Sequence, residues 1–328
     1  MPDLNTSFMG IPLKNPVIVG SSTLTDTPEK IQELEKCGAA AVVLKSLFEE
    51  EVRSMNNSAK CCNFHPEAYY YDISDAGMLY GISDYLRLIK EAKQAANIPV
   101  IASICCENAA WWSSYPERIA KAGADAIELN INMLSMNAKK APSEIYKDTL
   151  NIIETVKKST NIPFSVKLSP YCCSIPYLVK MLKEAGVYGV TLFSRLFEMG
   201  INLEELECEP ASYYSSPVET YKVLRWINVV TEQVDIEICG STGVHSATEA
   251  LQHILAGAGA VQMVSAIYQN GAEVITQTVE GIEKYMYDKQ FQNINELKGF
   301  LRTKHKDFDL VYFNSLTHDR FQLDSHMG

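Results

Sequence analysis

LAGAGAVQMVSA, at residues 255–266, is the stretch of sequence that determines the fold. A helix ends there in a glycine, and an apolar strand begins a few residues later. The pattern recurs as KCGAAAVVLKS at 36–46, KAGADAIELNIN at 121–132 and EAGVYGVTLFS at 184–194. Glycine readily adopts the left-handed conformation that ends a helix, whereas a Cβ disfavours it. The pattern therefore predicts four connections from a helix directly into a strand.

Four further runs have the same continuous apolar character: NPVIVGSS at 15–22, NIPVIASIC at 97–105, NIPFSVKLS at 161–169 and DIEICGS at 235–241. Continuous rather than alternating hydrophobicity is typical of parallel strands that helices cover on both faces. Helices are predicted between the strands at 28–37, 115–122, 143–158, 174–185, 217–232, 246–256 and 271–288. Eight strands that alternate with helices predict an α/β fold, the (β/α)8 TIM barrel. The alternative is an open doubly wound sheet, but no G-x-G-x-x-G follows any strand.

Several segments interrupt or extend the predicted barrel. LNTSFMGIPLKNP at 4–16 predicts an N-terminal hairpin that closes one end. The stretches 47–84 and 195–216 are long insertions after strands two and six, and we expect them to cover the end that carries the chemistry. No linker divides residues 1–328, so a single domain is predicted, with a C-terminal extension from about Asn293.

Composition excludes some classes of function. The formal net charge of -11 argues against binding of a nucleic acid backbone. No apolar run is long enough to span a bilayer and the start lacks a signal-peptide pattern, which predicts a cytoplasmic protein. The nine cysteines include three adjacent pairs but no C-x-x-C pattern, so we expect free thiols and no metal site.

Two strand ends predict a phosphate-binding loop. Strand seven ends in Gly240, Ser241, Thr242 and Gly243, and strand eight ends in Val264 and Ser265. In this fold, the loops after these strands commonly bind phosphate through backbone N–H groups. The alternative is ordinary turn chemistry before a helix.

Polar residues end three other strands: Lys45 with Ser46, Asn130 with Asn132, and Lys167. A lysine at the end of a buried strand is costly unless it meets an anion or several acceptors. Two such lysines favour a ligand with negative charge or electron-rich edges, and a reduced flavin is one example. The alternative is that each lysine forms a structural salt bridge.

These residues belong to motifs that resemble a known family. NPVIVGSS, VVLKS, IELN, VKLSPY, VTLFSR and TGVHSATEALQHILAGA occur in the order and spacing of the class 1 dihydroorotate dehydrogenases, and more closely of the dihydroorotate dehydrogenase-like proteins. The resemblance extends from the hairpin to about residue 290. It implies a barrel that binds FMN, and a homodimer would be usual for the family.

The resemblance also implies roles for individual residues. Lys45 would lie between flavin and substrate, Asn132 and Ser194 would lie in the substrate pocket, and the segment 69–80 would form a lid. FMN would contact Gly20, Ser21, Ser22, Lys45, Ser46, Asn130, Lys167, Gly240, Ser241, Thr242, Gly243, Val264 and Ser265.

The substrate half of the site departs from the family pattern. Class 1 enzymes have a catalytic cysteine three residues after the motif asparagine, and Met133 stands at that position here. The lid lacks the family's asparagines, and the N-S that ends strand six reads Phe193-Ser194, followed by Arg195. Since methionine cannot accept a proton, dihydroorotate is not the expected substrate.

Two kinds of residue are candidates for the missing base. Ser135, on the same loop as Met133, is one candidate, although a polar loop residue without catalytic role is the alternative. Thiols near strand ends are the other candidates, unless they only pack the mouth of the barrel. They are Cys105, Cys106, Cys172, Cys173 and Cys239.

Three functions remain open on the sequence. The first is an FMN-dependent oxidoreductase that acts on a CH–CH bond of a small, cyclic substrate, with an electron acceptor that the sequence does not identify. The second is a flavin-binding protein without turnover. The third is a flavin-free barrel lyase or isomerase whose substrate carries the phosphate.

Overall fold

The computed structural model describes residues 1–48, 82–105, 115–131, 138–195 and 199–301. Its strands are β1 Thr6–Phe8, β2 Ile11–Leu13, β3 Val17–Val19, β4 Ala41–Val43, β5 Leu47–Phe48, β6 Val100–Cys105, β7 Ala126–Asn130, β8 Phe164–Leu168, β9 Gly189–Leu192, β10 Met199–Asn202, β11 Glu207–Pro210, β12 Glu237–Ser241 and β13 Ala260–Met263. Its helices are α1 Pro28–Lys36, α2 Ile82–Ala95, α3 Tyr115–Ala122, α4 Pro142–Ser159, α5 Ile175–Ala185, α6 Thr220–Gln233, α7 Ala247–Ala256, α8 Ser265–Asn270, α9 Glu273–Lys289 and α10 Ile294–Leu297, with 3-10 turns at Thr23–Thr25 and Pro217–Glu219.

Eight parallel strands form a closed barrel. They pair in the order β3, β4, β6, β7, β8, β9, β12 and β13, and β13 pairs with β3 again, where Val261 faces Val17. The short β5 extends beside the end of β6. The predicted (β/α)8 barrel is therefore confirmed, and the open doubly wound sheet is excluded because the sheet closes on itself.

Four glycines explain why a helix ends shortly before a strand begins. Gly38, Gly123, Gly186 and Gly257 have φ of 102°, 103°, 99° and 127°, the left-handed region that favours glycine. The strands that follow are buried along their whole length, as continuous apolar runs require. The helix-to-strand pattern of the sequence thus sets the boundaries of four barrel units.

The N-terminal hairpin closes one end of the barrel, as predicted. β1 and β2 pair antiparallel. The Glu237 carboxylate, at the start of β12, accepts hydrogen bonds from the Ser7 hydroxyl and from the Gly10 N–H, the latter at 2.8 Å. Phe8 packs against Gly189, at the start of β9, so closely that a Cβ there would lie 2.8 Å from the ring. The hairpin thus covers the amino ends of the strands and leaves the carboxyl ends for a site.

Some elements differ from the sequence prediction. The sequence pattern predicts no helix where the structure has α2, and the insertion after β9 contains the antiparallel hairpin of β10 and β11. The predicted helix 271–288 corresponds to α9, and the shorter α8 precedes it. Most of the 47–84 insertion and the tail beyond Leu301 lie outside the described residues. Within the described ranges, no helix combines the length and the apolar character needed to cross a membrane.

Candidate active site

A cavity opens at the carboxyl ends of the barrel strands. It encloses about 780 Å³, including the space at its open mouth. Its lining combines the loops after β3, β9, β12 and β13 with the segment that follows β11. The lining residues are Ser21, Ser22, Thr23, Lys167, Phe193, Arg195, Tyr213, Tyr214, Ser215, Ser241, Thr242, Gly243, Val244, Gln262, Val264, Ser265 and Tyr268.

The loop after β12 is a tight turn and is the candidate anion-binding turn of the cavity. Thr242 and Gly243 have φ of 78° and 81°, and a Cβ on Gly243 would lie 2.4 Å from the backbone nitrogen of Thr220. Glycine is therefore required at 243 by both conformation and space. In barrels of this kind, the backbone N–H groups of the turn after this strand commonly bind a phosphate. The Thr242 hydroxyl donates to the Phe193 carbonyl at 3.2 Å and fixes the turn against β9.

A buried histidine supports this loop from behind. The ring of His253, on α7, lies under Gly240, where a Cβ would come within 2.0 Å of Nδ1. Burial lowers the pKa of His253 to about 3, so the ring is neutral at ordinary pH. Its Nε2 lies 3.3 Å from the Thr220 hydroxyl, which donates to the Gly243 carbonyl at 3.0 Å. Gly240 is therefore needed for packing against His253, and it does not line the cavity.

The start of α8 lines the same cavity as the loop after β12. The Ser265 hydroxyl accepts from the Ser215 N–H at 3.0 Å, and the Ser215 hydroxyl lies 3.1 Å from Nε2 of His245. Burial lowers the pKa of His245 below its ordinary value. The imidazole of His245 therefore lies behind Ser215, which lines this end of the cavity together with Ser265 and the turn at Gly243.

Residues 212–216, which we term the strap, form part of the cavity wall. The Arg195 guanidinium donates to the Ser212 carbonyl at 3.0 Å and to the Glu219 carboxylate at 3.0 Å. Tyr214 packs against Tyr268, with ring centroids 5.6 Å apart. The strap is thus attached to the loop after β9 through Arg195 and to α8 through Tyr268 and Ser265.

Four strands supply a polar network at the floor of the cavity. Lys167 donates to the side-chain oxygen of Gln262 at 3.0 Å, and the Gln262 amide nitrogen donates to Glu128 at 2.7 Å. The Thr191 hydroxyl donates to the same Glu128 oxygen at 2.7 Å. The second Glu128 oxygen lies 3.7 Å from the Lys167 ammonium. All four side chains are buried. The positive charge of Lys167 and the negative charge of Glu128 therefore compensate each other away from solvent.

A chain of hydroxyls joins the ends of β3, β4 and β6. Ser21 lies 3.0 Å from Ser46, and Ser46 lies 2.8 Å from Ser103. Tyr85, on α2, accepts from the Ser103 N–H at 2.7 Å and donates to its carbonyl at 2.9 Å. Helix α2 thereby fixes the wall on which the loop after β3 rests.

The structure gathers part of the predicted residue set around one cavity: Ser21, Ser22, Lys167, Ser241, Thr242, Gly243, Val264 and Ser265. Five others are buried at the same strand ends or beside them without lining this cavity, namely Lys45, Ser46, Asn130, Gly20 and Ser194. Asn132 and Ser135, like Met133, lie outside the described residues.

One of the thiols predicted at the mouth of the barrel, Cys239, does not lie there, and another, Cys106, lies outside the described residues. Cys239 lies in the middle of β12, fully buried, and it packs in a cluster with Phe8 and Met9 at the hairpin end. Burial, and then the Glu128 charge, raise the pKa of its thiol well above the usual value. Burial likewise raises the pKa of Cys172. Neither thiol suits the role of a base, because each is held in its protonated form.

Sequence reasoning missed the groups that surround the predicted residues. Glu128 lies inside the IELN motif, and Gln262 lies inside the strand of GAVQMVSA, where each looks like a single polar residue in an apolar run. A carboxylate inside a strand that is buried on both faces is a signal, because it requires partners. The positions of those partners, 63 and 134 residues away, follow only from the closed barrel.

The arrangement is typical of barrel enzymes, in which loops at the carboxyl ends of the strands surround the reacting groups. The family model for dihydroorotate dehydrogenase matches residues 3–286. The chain belongs to the dihydroorotate dehydrogenase family and is an oxidoreductase.

Related proteins can be aligned with this chain over nearly its whole length. A protein of Pyrococcus furiosus is 29% identical over 303 residues, which cover 90% of this chain and 98% of the relative. A protein of Thermoplasma volcanium is 27% identical over 305 residues, with 91% and 98% covered. Both are named dihydroorotate dehydrogenase B (NAD(+)), catalytic subunit.

Proposed function

We propose that the chain is an FMN-binding oxidoreductase that acts on a CH–CH bond of a small cyclic substrate. The observation that supports this most strongly is that one cavity joins an anion-binding turn at Gly243 to a buried lysine, Lys167, at its floor. A mononucleotide of a flavin has this polarity, with a phosphate at one end and an electron-rich ring at the other. We propose that residues 1–328 form a single domain around this site.

The residues fit the cofactor on chemical grounds. The turn at Thr242 and Gly243, with Ser241, Val264 and the Ser265 hydroxyl, would hold the phosphate. FMN is favoured over FAD because the turn suits one terminal phosphate.

At the other end, Lys167 would donate to the pyrimidine edge of the ring, since a positive charge there favours added electrons. Asn130, Lys45 and Ser46 would contact the ring from the ends of β7 and β4, and Gly20, Ser21 and Ser22 would lie along it. FMN, when bound, supplies hydride transfer at its ring.

The substrate side is proposed to differ from that of dihydroorotate dehydrogenases in general. Met133 stands where the family has its base, and a positioned base contributes about 10² to 10⁴ in rate. Ser135 is the candidate to take the proton, with Lys45 between flavin and substrate, while Asn132 and Ser194 would orient the substrate. We therefore expect dihydroorotate to be a poor substrate.

The names of the relatives suggest a partner. They describe the catalytic subunit of an NAD(+)-dependent enzyme, so we propose that a second subunit exchanges electrons between this chain and NAD(+). We also propose a cytoplasmic homodimer of the chain as its basic unit.

Anaerobic reduction of the bound flavin tests the substrate assignment. The protein is mixed with dihydroorotate and with dihydropyrimidines that lack its carboxylate, and flavin bleaching is followed for the wild type and Met133→Cys. We expect slow bleaching by dihydroorotate in the wild type and faster bleaching in the variant. Reduction of the wild type by dihydroorotate at an ordinary enzymatic rate would contradict the proposal, and bleaching by no compound would favour a flavin protein without turnover.

A further inference from the structure

The buried carboxylate of Glu128 belongs to the polar network at the floor of the cavity, but the proposed function gives it no chemical role. Glu128 is 1% exposed inside an apolar barrel, where a charge is expensive unless it is paired. Glu128 and Asn130 are two residues apart on β7 and therefore lie on the same face of the strand, the face toward the barrel interior. Its contacts reach three other strands, through Lys167, Thr191 and Gln262. A residue of this cost at the floor of a cavity calls for an explanation beyond packing.

The amide of Gln262 connects Glu128 to the cavity. Its nitrogen donates to Glu128 at 2.7 Å, and its oxygen accepts from Lys167 at 3.0 Å. Since an amide has one donating and one accepting end, the carboxylate determines which end faces the lysine. The ammonium lies closer to the amide oxygen than to Glu128, at 3.0 Å against 3.7 Å. Gln262 thus holds the lysine away from a direct contact with the carboxylate and toward the cavity.

We propose that Glu128 is a positioning residue that acts through Gln262 and Lys167 and sets the reduction potential of the bound flavin. The proposal rests on the assignment of FMN to this cavity. Lys167 places a positive charge at the floor, and Glu128, 3.7 Å from the ammonium, offsets that charge from below and attracts the ammonium away from the ring. The net charge that the ring experiences is therefore smaller than the lysine alone would give, and the reduced, anionic ring is stabilised less strongly.

The midpoint potential of the bound FMN tests this role. Glu128→Gln removes the charge but keeps a group that can accept from Thr191 and Gln262. We expect the affinity for reduced FMN, relative to oxidised FMN, to rise roughly tenfold, which is about 30 mV for a two-electron couple. Glu128→Asp, which keeps the charge, should stay near the wild type. Ser165→Ala is the matched control, because Ser165 is fully buried beside Glu128 and among the described residues its hydroxyl has no hydrogen-bond partner.

Two further variants separate positioning from simple packing. In a Lys167→Met background, Glu128→Gln should shift the potential clearly less than in the wild type, because only the direct effect of its charge on the ring remains and the effect through the position of the lysine is lost. Gln262→Met keeps both charges and removes the amide between them, so the ammonium should move toward Glu128 and lower the potential. Opposite shifts for Glu128→Gln and Gln262→Met are the signature of the proposed arrangement. If Glu128→Gln does not fold, the sign of the Gln262→Met shift still decides the matter.

Specific results would overturn the proposal. An unchanged potential in Glu128→Gln with FMN bound would do so, as would an equal shift in the Lys167→Met background or an unchanged potential in Gln262→Met. Urea unfolding of the same variants without FMN measures the coupling of Glu128 to Lys167 independently of the cofactor. If unfolding shows that Glu128 and Lys167 are coupled but the wild type binds no FMN, the FMN assignment is rejected. The tuning role is then rejected with it, whereas the buried ion pair is confirmed.

Discussion

Lys167 and Lys45 are both buried lysines at strand ends, but only Lys167 lines the described cavity. We expect Lys167→Met to raise the dissociation constant of FMN about tenfold or more, since a charged hydrogen bond contributes about 1.5 to 3 kcal/mol. Lys45→Met, the matched control, should change FMN binding less and slow flavin reduction by substrate instead. Fluorescence titration of FMN measures the first effect. Small and equal effects of both substitutions would contradict these roles.

His253 makes stability depend on pH. Its pKa in the folded protein is about 3, below the ordinary 6.5, because burial disfavours the charged ring. Below about pH 6.5 the unfolded chain therefore binds a proton that the folded chain does not, and the free energy of unfolding falls as the pH falls.

The test compares the wild type with His253→Gln. Between pH 6.5 and 4 the wild type should lose about 3 kcal/mol more than the variant in urea unfolding. Parallel pH profiles for the two proteins would show that His253 is not held neutral.

At the scale of elements, the strap of residues 212–216 should control release of the cofactor. Arg195, in the loop after β9, donates to the Ser212 carbonyl and to Glu219, and the Ser215 N–H donates to the Ser265 hydroxyl at the start of α8. We expect Arg195→Met to raise the dissociation rate of FMN about tenfold, because the loss of a charge-assisted hydrogen bond is worth on the order of 1.4 kcal/mol or more.

Stopped-flow exchange of bound FMN against an excess of apoprotein measures that rate. Lys222→Met, an exposed lysine on the nearby α6, is the control and should behave as the wild type. An unchanged rate in Arg195→Met would mean that the strap does not gate this cavity.

The elements that the sequence predicted well are those with a local physical cause. Each barrel strand is a continuous apolar run, and four of them follow a glycine whose conformation ends a helix. Helix α2 follows directly on a long insertion, so the sequence does not mark its start, although the residues of its buried face are spaced as in a helix: Tyr85, Leu88, Ile89 and Ala92. The sequence of the β10 and β11 hairpin contains no continuous apolar run. The hairpin lies at the surface, where the exposed Met199 and Ile201 alternate with less exposed residues.

For the molecule as a whole, the part of the site that the sequence could predict is the part formed by contiguous residues. The turn from Ser241 to Gly243 and the end of β8 at Lys167 are local features, and both line the cavity. The network of Glu128, Thr191 and Gln262 depends on strands that are distant in the chain, and the placement of the strap against Ser265 likewise depends on distant residues. The substrate loop with Met133 and Ser135 lies outside the described residues, and its role remains a prediction.

The central claim is that this barrel binds FMN, and the absorbance spectrum of the purified protein tests it most directly. Non-covalent flavin should absorb near about 450 nm, and the flavin released by heating should be FMN rather than FAD, at close to one per chain. Protein that purifies without colour should take up added FMN and then show the same spectrum. Colourless protein that also fails to bind added FMN would contradict the account.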